Sequence, residues 1–313
     1  MNLAKRYWGP VLAGGIMWAG GAQATSICEL DIVTFDFTNT GVCGQVITTL
    51  DGVQIQDLDE SGSVASASAQ QGASPPAAGS DGTSGTASAT YPNPDGTGGS
   101  VGAAASVSGG SGSMTEISSL SGAFFIGEFI ADDGLPGNDP FDLTVNLGIE
   151  GELFVQNDGI AGLAVLFAAV DSTGATLGEF VGIAPLQNIG PVSVFFPLGF
   201  TQPFDQDLSC IDVVASPHEC TVTADFTESL VLPGLVDGDL FGLFLTIEVL
   251  AVLADGVADG AAHANFDNTV ELSFEGGNVR ALPANFAVPE PASIVLVVMG
   301  ALVLGVARGR RRL

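Results

Sequence analysis

Positive charge is nearly missing from this chain, with 7 Lys and Arg against 35 Asp and Glu in 313 residues. The bases are Lys5, Arg6, Arg280, Arg308, Arg310, Arg311 and Arg312, so between Ala24 and Pro291 only Arg280 accompanies all 35 acids. A surface of that sign repels phosphate backbones, which excludes nucleic acid as a partner. Histidine is as scarce. His218 lies in the loop SPHEC and His263 in the strand-like AAHANFDN, and both read as structural. No strand-to-helix nucleophile elbow, HExxH, phosphate loop or dinucleotide fingerprint marks a catalytic centre. The expectation is a protein that is not an enzyme. Disorder is excluded in turn, because 46% of the residues are hydrophobic and a core is available.

The scarce bases cluster at the two ends. Lys5 and Arg6 precede an apolar stretch from Val11 to Gly21 and then Ala22-Gln23-Ala24. Basic, apolar and small-x-small in that order make residues 1–24 a secretory signal peptide, with signal peptidase reading Ala22 and Ala24 and cutting after Ala24. At the other end Val288-Pro289-Glu290-Pro291 comes first, extended by its prolines. An uncharged apolar run from Ala292 to Ala307 follows, and Arg308, Arg310, Arg311 and Arg312 close the chain as a cytoplasmic stop.

This tail resembles the PEP-CTERM sorting signal of Gram-negative bacteria, over residues 288–313. The resemblance implies that Val288, Pro289, Glu290 and Pro291 form the motif read by exosortase. It also implies that 292–307 is a transmembrane helix anchoring the chain transiently in the inner membrane, and that the tail is removed on the way to the cell surface or extracellular matrix. Similar tails also carry an ice-binding label, as an ice-binding protein C-terminal domain, which describes some bearers and not the tail itself.

Between the ends, residues 25–287 form the body. Four cysteines in an exported chain read as two disulfides, and short separations favour Cys28 with Cys43 and Cys210 with Cys220. Each closed loop is worth on the order of 3 kcal/mol in the chain-entropy model. A zinc site lacks the usual ligand spacing. Residues 61–113 are rich in Ser, Ala and Gly. Their composition suits a linker, but the alternation in Val64 to Ala69 and Thr86 to Thr90 suits strands joined by glycine turns. Period two returns at Phe141 to Ile149, Phe241 to Val249 and Val270 to Phe274, with turn signals at Asn157-Asp158-Gly159, Asp171 to Gly174 and Asp237-Gly238. Ile160 to Val170 fits a buried strand or a short helix, and its flanking turns favour the strand. The expected fold is all-β: an antiparallel β-sandwich or jelly-roll-like body flanked by an N-terminal signal helix and a C-terminal transmembrane helix.

The chemistry expected of the body is sparse. Asp132, Asp133, Asn138, Asp139 and Asp142 gather hard oxygens in a turn-rich loop, which suits calcium, as does a smaller group at Asp57, Asp59 and Glu60. A solvated acidic turn accounts equally for both. No cofactor is required, and calcium is the one candidate. The resulting expectation is an exported, non-catalytic cell-surface or matrix protein, structural or adhesive in biofilm or exopolysaccharide. Its partners are signal peptidase, exosortase, the membrane before processing, and extracellular polysaccharide. The alternatives are a secreted glycan-active enzyme working with paired carboxylates, or a calcium-stabilised carbohydrate-binding protein.

Overall fold

Alternation of small apolar and hydroxyl residues builds strands here. The computed structural model describes residues 40–74, 80–110, 117–134, 139–189, 192–195, 197–200, 204–206, 219–253 and 259–285. The expected signal and transmembrane helices, the sorting motif, Cys28, Cys210 and His218 lie outside the described residues. Within them, no helix is long and apolar enough to cross a membrane. In chain order the strands are β1 (Gly41–Leu50), β2 (Val53–Ser61), β3 (Val64–Gly72), β4 (Gly82–Thr90), β5 (Ser100–Ser108), β6 (Ile117–Asp132), β7 (Phe141–Gln156) and β8 (Gly159–Asp171). They continue as β9 (Thr176–Ile189), β10 (Val192–Phe195), β11 (Asp205–Gln206), β12 (Glu219–Leu235), β13 (Leu240–Leu253), β14 (Ala261–Glu275) and β15 (Asn278–Ala281). The ambiguous Ile160 to Val170 is thus strand, as its turns favour, and the Ser/Ala segment supplies β3, β4 and β5.

Among the described residues the fold is all-β, with every pairing antiparallel. One sheet, here sheet A, runs β10-β9-β8-β13-β6-β1-β2, with β15 pairing β6 as well. Sheet B runs β11-β12-β7-β14-β5-β4-β3. The two share one core, a sandwich-like arrangement. The β1–β2 hairpin turns on Asp51 and Gly52, whose φ values of 52° and 74° suit a two-residue turn with both central residues left-handed. Cys43 on β1 and Cys220 on β12 are both disulfide-bonded.

The core tapers. Where β3, β4 and β5 face β1 and β6, most of their inward side chains are alanines, Ala65, Ala67, Ala69, Ala87, Ala89, Ala103 and Ala105, with Thr83 on β4 and Val101 and Val107 on β5 beside them. The sheets close in accordingly. A Cβ on Gly44 of β1 would sit 3.0 Å from the Ala87 carbonyl oxygen and 3.3 Å from the Ala67 nitrogen, so main chain meets main chain well inside the ~10 Å of ordinary sandwiches. Buried hydroxyls cross the gap. Ser119 Oγ donates to the Ser84 carbonyl at 2.8 Å, Ser121 Oγ to that of Ala104 at 2.7 Å, and Thr83 Oγ1 to that of Ser118 at 2.9 Å. At the opposite end the gap is filled by rings: Phe180, Phe195, Phe200, Phe204 and Phe226 pack edge to face with centroids 5.2–5.6 Å apart. Gly182 on β9 leaves the space that the Phe200 ring occupies.

Gly85 tests the narrow end. A Cβ there would meet Ser121 Oγ, and Val46 Cγ1 at 2.6 Å. Gly85→Ala is expected to lower stability by about 1–3 kcal/mol in chemical denaturation, as overpacking does. Gly148→Ala, where a Cβ would meet nothing within 4 Å, is expected to stay within about 0.5 kcal/mol of the parent.

Candidate functional site

The end of β6 and the turn between β12 and β13 meet at an acidic corner. Ala131 donates to the Asp239 carbonyl and Gly238 to the Ala131 carbonyl, both at 2.9 Å, so the two segments are locked together. Asp133 N–H donates to Asp237 Oδ1 and Gly134 N–H to Asp132 Oδ1, each at 2.7 Å. One carboxylate oxygen from each of Asp132, Asp133 and Asp237 lies within 4.8 Å of the others. Three anions at that spacing repel one another, and a hard cation with oxygen ligands suits them.

Of the five residues expected from the sequence, two stand in this cluster. Asp139 is exposed before β7, and Asp142 Oδ1 instead accepts the Gly234 N–H at 3.0 Å, across from the β12 irregularity. Asn138 lies outside the described residues. The third member, Asp237, is remote in sequence and reads there only as a turn residue. Its place depends on β12 and β13 returning to the end of β6.

The smaller acidic group does not converge. Glu60 stands opposite Cys43 and Asp59 opposite Gly44, so they occupy opposite faces of β2. Asp59 Oδ2 accepts the Ser66 N–H and Asp57 Oδ2 the Ser68 N–H, both at 2.7 Å. These carboxylates belong to the margin of the sheet.

Two further titratable groups are set by packing. His263 on β14 bonds through Nε2 to Glu152 Oε1 at 2.9 Å, and its ring stacks on Phe154 with centroids 5.0 Å apart. Its buried Nδ1 has no partner among the described residues, and the Glu152 bond and the Phe154 ring hold the imidazole in place. Ser100, in the one stretch with the letters GxSxG (Gly98 to Gly102), opens β5 between neighbouring strands, where the sharp strand-to-helix turn of a nucleophile elbow is missing. Glu248 is the larger anomaly. It sits on β13, the central strand between β6 and β8, opposite Gly122 and Ala164. Leu120, Ala164 and Leu250 enclose a small hollow beside it. Burial pushes its carboxyl up to about 7 from an ordinary 4.5.

No family model matches this chain, and no curated protein matches it. Among solved structures it is similar to capsid proteins of infectious bursal disease virus. The Gt strain particle shows 11% identity and a TM-score of 0.12, with 84% of this chain and 72% of the other covered. The VP2 subviral particle shows 9% identity and a TM-score of 0.13, covering 83% and 72%. Superposition at that level carries no argument about fold or function.

Glu248 sets a pH dependence. Between about 4.5 and 7 the native carboxyl keeps a proton that the unfolded chain has released, so stability falls as pH rises through that window and levels off above it. The loss is on the order of 3 kcal/mol. Glu248→Gln is expected to flatten this decline and to melt several degrees higher than the parent at pH 8, as thermal unfolding followed by circular dichroism at stepped pH will show.

Proposed function

We propose that this chain is an exported, non-catalytic protein of the cell surface or extracellular matrix of a Gram-negative bacterium, sorted through its C-terminal signal. In this reading a β-sandwich body is carried between a removable signal helix and a transmembrane helix, and serves a structural or adhesive role in exopolysaccharide. The observation that carries it is the order of the tail: Pro289-Glu290-Pro291, the uncharged run 292–307, then four arginines. The extreme acidity of the body supports it, since like charge keeps an exported protein soluble in a crowded polymer.

A second reading, a calcium-stabilised carbohydrate-binding protein, is favoured by the convergence of Asp132, Asp133 and Asp237. It differs from the first in requiring a cation for full stability.

Intact mass of the protein recovered from envelope and medium fractions of its host tests the first reading. The expected species begins near Thr25 and ends between Pro289 and Pro291, whereas retention of residues 292–313 replaces the sorting account with a permanent tether. For the second reading, chelation is expected to lower the melting temperature of the parent and leave Asp237→Asn unmoved. Identical melting curves with and without chelator remove it.

A further inference from the structure

Strand β13 reads LFGLFLTIEVLAVL, apolar almost throughout, which is the pattern of a strand buried on both faces. Alternate residues from Phe241 to Leu253 point into the core shared with sheet B. The residues between them point the other way and are buried too: Phe244 is 3% exposed and Val252 2%. Ile126 on β6 and Ala168 on β8, which stand beside Phe244 on that outer face, are also buried. Among the described residues no strand lies over this face of sheet A, because sheet B packs on the inner one. Water is nonetheless kept from it.

A covalent marker stands on the same face. Val42 and Val46 of β1 belong to the core and Gly44 faces sheet B, so Cys43 points outward. It shares a row with Phe124 and Thr246, is 0% exposed and is disulfide-bonded. Its partner is not Cys220, whose side chain lies in the core between the sheets. Cys28 and Cys210 remain. Cys210 comes shortly before Cys220 on β12, which is separated in sheet B by β7, β14 and β5 from β4, the strand that Gly44 of β1 meets. Cys28 belongs to the stretch that leads directly into β1 at Thr40.

That stretch has the sequence of a cover. Cys28, Leu30 and Ile32 alternate with Glu29 and Asp31, then Val33, Phe35 and Phe37 with Thr34 and Asp36. The slip of phase between Ile32 and Val33 is of the kind that a bulge absorbs. One side is apolar and the other polar and acidic, so a segment laid flat with its rings down keeps its carboxylates in water. The 14 residues between Cys28 and Cys43, running out and back at ~3.3 Å each, reach about 23 Å. Thr246 is two strand spacings from Cys43, about 10 Å, which is well inside that reach.

We propose that residues 25–39 cover the outer face of sheet A, latched by a disulfide between Cys28 and Cys43, with Phe35 and Phe37 against its Phe124, Ile126 and Phe244 side. The cover is independent of the sorting reading and of any cation at the acidic corner.

Peptide mapping of the unreduced full chain tests the latch. Cys43 is expected in one linked peptide with Cys28, and linkage to Cys210 overturns the proposal. Photo-reactive benzoylphenylalanine in place of Phe124, on the face itself, tests the occupant in the full chain in detergent. Irradiation is expected to join β6 to residues 25–39 of the same molecule. Capture of residues 292–307, capture of a second chain, or no capture overturns the proposal. Adding Phe35→Ser with Phe37→Ser leaves both cysteines in place and is expected to lower that capture about fivefold or more, since the apolar seat is lost. Adding Asp36→Ser, on the acidic side, is expected to leave it at the parent level. Equal capture with and without the phenylalanine pair means that the disulfide alone holds the segment near, and the proposed seat is then wrong.

Discussion

The distance between the two sheets at the alanine end governs the rest of this fold. Main chain approaches main chain at Gly44 and Ala87, and the inward side chains of β3 and β4 opposite β1 are kept to alanine, threonine and glycine, with the valines of β1 and β5 filling what space remains. At that distance a serine hydroxyl spans the gap, which is why Ser119 and Ser121 point inward and donate to carbonyls of the opposing sheet. A buried hydroxyl without such a partner would be costly, and a larger apolar group would push the sheets apart. The opposite end obeys the complementary rule, and five phenylalanines occupy the space that the taper opens.

This geometry explains which parts of the molecule could be read from the chain. Period two at Phe141 to Ile149 is loud, because large apolar residues alternate with polar ones, and it became β7 with Leu143, Val145, Leu147 and Ile149 buried. In Val64 to Ala69 the same period is quiet, since alanine and serine differ little in hydrophobicity, and the composition is equally that of a linker. Long β neighbours decided between the two. The inward serines of β6 could not be anticipated, because serine ordinarily marks the solvated side of a strand and only the opposing backbone gives it a reason to turn in.

The acidic residues divide along similar lines. Asp132 and Asp133 were legible as a local group, whereas Asp237 joins them only through the return of β12 and β13, a relation with no local signal. Asp57 and Asp59 look like ligands in a list of carboxylates and turn out to face amides. Glu248 sits where the alternation of β13 calls for a polar residue, and nothing in that alternation shows that its surroundings are apolar.

The aspartates share a consequence. Asp57, Asp59, Asp81, Asp95, Asp132, Asp142, Asp171, Asp237 and Asp239 each accept a main-chain N–H. For Asp171, bonds from the Thr173 hydroxyl and the Ala175 and Thr173 amides hold the carboxyl below the usual range. At these nine positions the backbone supplies the counter-charge, and peptide dipoles take the place that lysine and arginine fill elsewhere. An amide cannot be deprotonated at ordinary pH, nor is it severed by trimming either basic end. The negative charge of these nine aspartates is therefore met within the body itself, by groups that carry no formal charge.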